Sequence, residues 1–156
     1  MSEKRTVVIT GANRGIGLEL ARHYAGEGCD VIGVCREASA ELTEVAARVI
    51  DGIDVTKDAG VDKLTDALAG ERIDLLINNA GLLQDEKHGS IAFDSIRIQM
   101  ELHAYAPLRV TEALVSQIPS GGQIANITRR MGSIVDTYSG RCQGYRAPKA
   151  AHKDFG

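Results

Sequence analysis

A tyrosine and a lysine near the end of the sequence have the spacing of a proton-donating pair. Tyr145 and Lys149 stand four positions apart, and residues i and i+4 lie on one face of a helix. The ammonium group can then approach the phenol and lower its pKa from about 10. Exposed helices carry such pairs routinely, so a catalytic role for Tyr145 and Lys149 depends on where the pair lies in the fold.

Pro148 limits where that helix can begin. A proline inside a helix lacks the N–H donor and clashes with the carbonyl four residues back, here that of Gly144. A helix that starts near Tyr145 would place Pro148 in its first turn, where proline is tolerated. A helix that starts earlier would break the register between Tyr145 and Lys149.

Residues 10–17, Thr-Gly-Ala-Asn-Arg-Gly-Ile-Gly, predict a phosphate-binding turn. They follow an apolar, β-branched run at residues 7–9, which is typical of a strand buried on both faces. Glycines accept positive φ and let a ligand approach the backbone, and the N–H groups of the following helix point at it. The spacing Gly-x-x-x-Gly-x-Gly differs from the general dinucleotide fingerprint, so an ordinary turn between strand and helix is the alternative.

Composition and charge indicate one ordinary globular domain, residues 1–156. The chain is 44% hydrophobic and 25% charged, with a formal net charge of -3. This charge offers no basic surface for nucleic acid or an anionic membrane. No apolar run approaches the roughly 20 residues that span a bilayer. The first residues lack the apolar region of a signal peptide, so a cytoplasmic location is predicted.

The cysteines and histidines predict neither a disulfide framework nor a metal site. The three cysteines form no Cys-x-x-Cys pair and leave an odd one over. The four histidines do not have the spacing of metal ligands.

Five predicted strands alternate with helices along the chain. The strands fall at residues 4–10, 30–35, 49–55, 73–77 and 123–127. The helices are predicted at 15–26, at 39–49, from a cap at 56–58 to Gly70, at 91–118 with a kink at Pro107, and from Gly144 onward. This alternation predicts an α/β fold with a doubly wound parallel sheet, whose ligands bind at the carboxyl ends of the strands.

Those carboxyl ends carry separate polar motifs. The glycine turn follows the first strand, Arg36 the second, Asp54 the third, the sequence Asn-Asn-Ala-Gly at 78–81 the fourth, and Thr128 the fifth. Because the ends of parallel strands meet along one edge of a sheet, we expect the motifs to form a single site.

In order and spacing, these motifs resemble those of the short-chain dehydrogenase/reductase family, from Val7 to Lys149. The four motifs are Thr10-Gly11-x-x-x-Gly15-x-Gly17, Asp54-Val55-Thr56, Asn78-Asn79-Ala80-Gly81 and Tyr145-x-x-x-Lys149. Residues 138–147 are most similar to an NADP-type branch of bacterial carbonyl reductases that includes C-factor-like proteins. The resemblance implies a three-layer α/β/α Rossmann fold. It also implies that the family's last two strands are missing, because seven residues follow Lys149.

The resemblance implies which residues hold a nicotinamide cofactor. The glycine motif would contact the pyrophosphate, Asp54 and Val55 the adenine, and residues 79–81 the cofactor ribose. The predicted cofactor-binding residues are Gly11, Asn13, Arg14, Gly15, Ile16, Gly17, Arg36, Asp54, Val55, Asn79, Ala80, Gly81, Tyr145 and Lys149.

Charge favours NADP over NAD as that cofactor. An NAD site usually offers a carboxylate to the ribose 2′-hydroxyl, whereas an NADP site offers arginine to the 2′-phosphate. Arg36 ends the second predicted strand and Arg14 lies within the glycine turn, and a guanidinium suits a doubly charged phosphate. The alternative is that both arginines are solvated surface charges.

The family's chemistry assigns roles to the remaining motif residues. Tyr145 would be the general acid/base, aided by Lys149, donating a proton to the carbonyl oxygen while the cofactor delivers hydride to carbon. Arg129 stands where the family has a carbonyl-polarising serine, so Thr128 or Ser133 is expected to supply that hydroxyl.

The sequence therefore predicts an NADP-dependent oxidoreductase acting on a small carbonyl or alcohol. The family's helical asparagine falls at His103, which is expected to pack rather than to relay protons. The replacement of two family residues, at His103 and at Arg129, leaves an alternative. The chain would then be a catalytically impaired or truncated member that binds nucleotide and acts in signalling or as a scaffold. A flavodoxin-like phosphate binder would leave residues 78–81 unexplained. The uncovered edge of the fifth strand favours a homo-oligomer.

Overall fold

The computed structural model describes residues 3–82, 89–128, 148, 149 and 151 of the chain. Their strands form one five-stranded sheet in the order β3-β2-β1-β4-β5, and all neighbouring strands are parallel. The strands are β1 (Thr6–Thr10), β2 (Asp30–Val34), β3 (Arg48–Ile50), β4 (Leu75–Asn78) and β5 (Gln123–Asn126). This arrangement confirms the predicted Rossmann-like parallel sheet.

Helices connect the strands. They are α1 (Gly15–Gly26), α2 (Ala40–Val45), α3 (Asp58–Ala67), α4 (Phe93–Met100) and α5 (Ala106–Leu114), with a π-helical segment (Glu101–Tyr105) between α4 and α5 and a 3₁₀ turn (Val115–Gln117) after α5. Pro148, Lys149 and Ala151 are also helical. Among the described residues, none of the helices has the length and apolarity needed to cross a membrane.

The side chains of β1 point alternately to the two faces of the sheet and so belong to two separate halves of the core. Val8 belongs to an apolar cluster that includes residues of α3 and α5. Val7 and Ile9, which point to the opposite face, belong to a second cluster with residues of α1 and α2. Successive side chains of a strand face opposite sides of the sheet, and here both sides are covered by helices. The result is the expected three-layer α/β/α arrangement.

The α2–β3 segment differs from its predicted bounds. The helix predicted at 39–49 ends at Val45, because Ala46 is extended (ψ 140°). The strand predicted at 49–55 is only Arg48–Ile50, because Gly52, two residues after its end, turns the chain with φ 66°. Ile53 and Val55 are nevertheless buried, so their apolar character reflects packing in the core rather than strand pairing.

The long helix predicted at 91–118 is interrupted immediately before Pro107. The N–H of Ala106 donates to the carbonyl of Glu101, five residues back, which is the π-helical pattern. Proline lacks the N–H needed for the regular ladder and crowds the carbonyl four residues earlier. The wider turn accommodates this, as expected where an α-helical ladder is disturbed.

Candidate active site

The glycine turn connects β1 to α1, as predicted. Gly11 and Gly15 have φ of 65° and 55°, a conformation that favours glycine. A Cβ on Gly11 would lie 2.7 Å from the Cα of Ala80. A Cβ on Gly17 would overlap the Gly11 carbonyl oxygen and lie 2.9 Å from the carbonyl carbon. The turn therefore packs backbone against backbone, both within itself and against the segment after β4.

The first turn of α1 has no side-chain cap. Its N-cap residue, Arg14, is extended, and no side chain accepts a hydrogen bond there. The Leu18 N–H donates to the Arg14 carbonyl at 3.3 Å. The N–H groups at the start of a helix bind phosphates through hydrogen bonds and the helix dipole. The backbone at Gly15, Ile16 and Gly17 thus suits a dinucleotide pyrophosphate.

Asn79 and Thr10 fasten the glycine turn to the segment that follows β4. The Asn79 side-chain amide donates to the carbonyls of Thr10 and Gly11, both at 3.1 Å. In the opposite direction, the Thr10 hydroxyl accepts from the N–H groups of Asn79 at 3.0 Å and Ala80 at 3.1 Å. Both donors of the Asn79 amide are thereby used, so this residue shapes the turn.

Asp54 is held in a tight local turn after β3. Its carboxylate accepts from the Thr56 N–H at 3.0 Å and the Thr56 hydroxyl at 2.6 Å. Burial alone would raise the pKa of Asp54, but these two hydrogen bonds and the charges of Lys57 and Arg36 lower it below its ordinary value. The helix start predicted at residues 56–58 is found there, since Lys57 is the N-cap of α3. Lys57 makes no side-chain capping bond, and the Thr56 hydroxyl bonds to Asp54 instead.

The two arginines predicted to bind a 2′-phosphate lie in different surroundings. Arg14 lines an open pocket between the glycine turn and α2, together with two carboxylates, Glu37 and Glu41. Arg36 is exposed and its charge acts on Asp54. Glu37 and Glu41 were not predicted to lie at this site, although their closeness to Arg36 in sequence was a signal for them.

Lys149 reaches the carboxyl end of β5. Its ammonium group donates to the Ile127 carbonyl at 2.8 Å, and the residue is 5% exposed. The neighbouring Thr128 is exposed. Beneath them, the Asn78 amide donates to the Asn126 side chain at 2.9 Å and to the Thr111 hydroxyl at 3.1 Å. Lys149 is thus placed at the same sheet edge as the glycine turn.

His103 packs against the segment after β4, as expected. It is 1% exposed, and its Nε2 lies 3.1 Å from the Leu82 nitrogen and 2.5 Å from the Leu82 carbonyl oxygen. A Cβ on Gly81 would lie 2.9 Å from the His103 Cε1. The imidazole therefore supports the backbone at Gly81 and Leu82.

Two residues of the predicted catalytic set, Tyr145 and Ser133, lie outside the described residues, as does Arg129, which stands in place of the family's serine. The structure therefore brings together the glycine turn, Asp54, residues 79–81 and Lys149, while the roles assigned to the other three remain predictions. Within the described residues no cluster of metal-ligating side chains occurs.

Comparison with known proteins identifies the class. Residues 5–156 match the family model described as short chain dehydrogenase, and the chain belongs to this family of oxidoreductases. It is 34% identical over 148 residues to the 1-hydroxy-2-glutathionyl-2-methyl-3-butene dehydrogenase of Rhodococcus sp. (strain AD45), covering 94% of this chain and 66% of that protein. The chain spans about half to two thirds of the length of the curated relatives it matches.

Solved structures with bound NADP share this fold. A short-chain dehydrogenase/reductase from Burkholderia multivorans with bound NADP superimposes with a TM-score of 0.88 at 29% identity, covering 98% of this chain and 71% of that one. A carbonyl reductase from Pseudomonas aeruginosa PAO1 in complex with NADP also gives 0.88 at 29% identity, covering 98% and 70% of the two chains.

Proposed function

We propose that the protein is an NADP-dependent oxidoreductase that interconverts a small carbonyl compound and its alcohol. The observation that carries this proposal is the glycine turn, where the uncapped start of α1 suits a pyrophosphate. The N–H groups of residues 15–17 would hold the phosphates, Arg14 and Arg36 the 2′-phosphate, and Asp54 and Val55 the adenine. When bound, the cofactor supplies or accepts hydride at the substrate carbon.

The proton chemistry is proposed for the chain's own residues. In the reducing direction the Tyr145 phenol donates its proton to the carbonyl oxygen, and in oxidation the phenolate takes it back. Lys149 stabilises the phenolate, and its bond to the Ile127 carbonyl fixes one end of the ammonium group. A hydroxyl from Thr128 or Ser133 would polarise the substrate carbonyl. Arg129, which is always positively charged, would stabilise the negative charge that develops on the carbonyl oxygen.

The proposal is tested by following NADPH oxidation with a panel of aldehydes and ketones. Turnover of at least one of them is the expected result. Tight NADPH binding with no turnover across the panel would instead support the alternative: a nucleotide-binding member that acts in signalling or as a scaffold. The residue that favours this alternative is Arg129, at the position where the family has a serine.

NADPH should bind at least about tenfold more tightly than NADH, the effect of one charge-assisted contact to the 2′-phosphate. Arg14→Ala is expected to remove most of this preference by weakening NADPH binding alone. Arg22→Ala is the matched control, because Arg22 lies on the same helix and pairs with Glu19. Fluorescence titration measures the dissociation constants of NADPH and NADH. Equal dissociation constants for the two dinucleotides in the unaltered protein would refute the NADP assignment.

We further propose that two copies associate through the α4–α5 region. The large apolar residues of this region that are exposed are Phe93, Ile98, Tyr105, Leu108 and Val115. Several exposed apolar side chains in one region are typical of a protein–protein contact, and a second copy of the chain is the proposed partner. Light scattering should show a dimer that Leu108→Lys converts to monomer. Ile124→Lys, which alters an exposed apolar residue on the edge strand β5, tests the other predicted contact: loss of the dimer in this variant alone would place the association at the edge of the sheet. A monomeric unaltered protein would refute the association.

The cytoplasm is the proposed location of the reaction. Cys29 and Cys35 are free thiols, as is usual for proteins kept in a reducing compartment.

A further inference from the structure

Ser39 connects helix α2 to the glycine turn. Its hydroxyl donates to the Asn13 carbonyl at 2.7 Å, across 26 positions of sequence, and accepts from the Leu42 N–H at 3.2 Å as the N-cap of α2. The only proton of the hydroxyl is committed to Asn13. Ser39 therefore acts on the turn and has no hydroxyl proton left to donate to a ligand.

The bond to Asn13 sets the orientation of one peptide group in the turn. The Asn13 carbonyl and the Arg14 N–H belong to the same planar trans peptide and point in opposite directions. Holding the carbonyl against α2 therefore fixes the direction of the Arg14 N–H and the backbone from which the Arg14 side chain extends. The other attachments of the turn act elsewhere: the Ala12 N–H donates to Val34 at 3.2 Å, and Asn79 holds residues 10 and 11.

The charges around Arg14 make this orientation matter. Glu37 and Glu41 line the same open pocket as Arg14 and Ser39. Arg14 is exposed, and a long cationic side chain beside two carboxylates is drawn to them in the absence of a positional constraint. Arg14 can bind a phosphate in this pocket only if its guanidinium points toward the phosphate and does not pair with Glu37 or Glu41.

We propose that Ser39 is a positioning residue for the dinucleotide, one that holds the peptide between Asn13 and Arg14 so that Arg14 faces the 2′-phosphate. This inference rests on the proposed function, and it adds Ser39 as a determinant of the preference for NADPH over NADH. It predicts that removing one hydroxyl, whose proton is donated to the Asn13 carbonyl, changes cofactor selectivity.

Three variants test the proposal through the ratio of the NADH and NADPH dissociation constants and through the melting temperature. Ser39→Ala should lower the ratio about fivefold, the effect of one lost hydrogen bond. Ser39→Thr keeps the hydroxyl and a good N-cap residue and should restore it. Thr43→Ala is the matched control, because the Thr43 hydroxyl bonds the Ser39 carbonyl at 2.9 Å and does not touch the turn. Thr43→Ala should leave the ratio unchanged and should not lower the melting temperature, because alanine is the better helix former at an exposed position.

A double-variant cycle shows whether Ser39 acts through Arg14. With Arg14 already replaced by alanine, Ser39→Ala should no longer change the ratio, since non-additivity is the signature of coupled residues. If Ser39→Ala lowers only the melting temperature and leaves the ratio at its original value, Ser39 is merely a helix cap and the inference is wrong. If the unaltered chain binds neither dinucleotide, the proposed function fails and this inference with it.

Discussion

Replacing Tyr145 by phenylalanine is expected to abolish measurable carbonyl reduction while NADPH binding persists. Phenylalanine keeps the ring but removes the proton that the proposed mechanism delivers to the carbonyl oxygen. General acid catalysis contributes about a hundredfold to ten-thousandfold in rate, so kcat should fall by that factor. Steady-state NADPH oxidation measures the loss, and fluorescence titration should give an NADPH dissociation constant within about threefold of the original, since the phenol hydroxyl is only one contact among many.

Tyr105→Phe provides the control for that experiment. Tyr105 is a 42% exposed residue of the π-helical segment, and removal of its hydroxyl should leave kcat unchanged. Full activity in the Tyr145→Phe variant would remove Tyr145 from the mechanism and leave the family resemblance without its proton donor. A loss of both activity and binding would instead indicate that Tyr145 supports the structure of the cofactor site.

The second large effect is expected at Gly17, where alanine should destabilise the fold and weaken cofactor binding together. A Cβ at this position overlaps the Gly11 carbonyl oxygen and the Asn79 side-chain nitrogen, and neither group can move without breaking the bonds between Asn79 and the turn. Overpacking typically costs 1–3 kcal/mol, and we expect about 3 kcal/mol here because backbone must shift. Thermal unfolding should register a drop of about 10 °C.

Gly26→Ala separates this effect from the general cost of altering a glycine in α1. Gly26 is the last residue of the helix and a Cβ there meets nothing within 4 Å, so its melting temperature should be unchanged or slightly higher. Gly17→Ala should also raise the NADPH dissociation constant at least about tenfold, as expected when charge-assisted hydrogen bonds to phosphate are lost. Equal melting temperatures for the two variants would contradict the packing described at Gly17.

The fold and the gathering of motifs at one sheet edge were predictable because they depend on local pattern. Short β-branched runs such as residues 7–9 can be buried on both faces only in a sheet covered by two helical layers. The placement of the glycine turn and of residues 78–81 follows from parallel strands alone. Lys149 reached the same edge because it follows the fifth strand.

What the sequence could not predict depends on contacts between distant residues. The apolar Ile53 and Val55 indicated a longer β3, because a buried residue after a strand has the same character as one within it. The sequence predicted that the helix would kink at Pro107. The chain instead relieves the clash at this proline with a π-helical segment, which local pattern does not reveal. The bond from Ser39 to Asn13 joins two surface segments, and the sequence predicted only that a helix begins near Ser39.

The glycine turn is fastened to three parts of the chain: the end of β2 through Ala12, the start of α2 through Ser39, and the segment after β4 through Asn79. A ligand that requires this arrangement binds the folded chain and not the unfolded one. By linkage, a dinucleotide at a hundred times its dissociation constant would add about 2.7 kcal/mol to the free energy of unfolding. The supply of cofactor in a cell would then govern how long the protein survives proteolysis, independently of how much substrate is present.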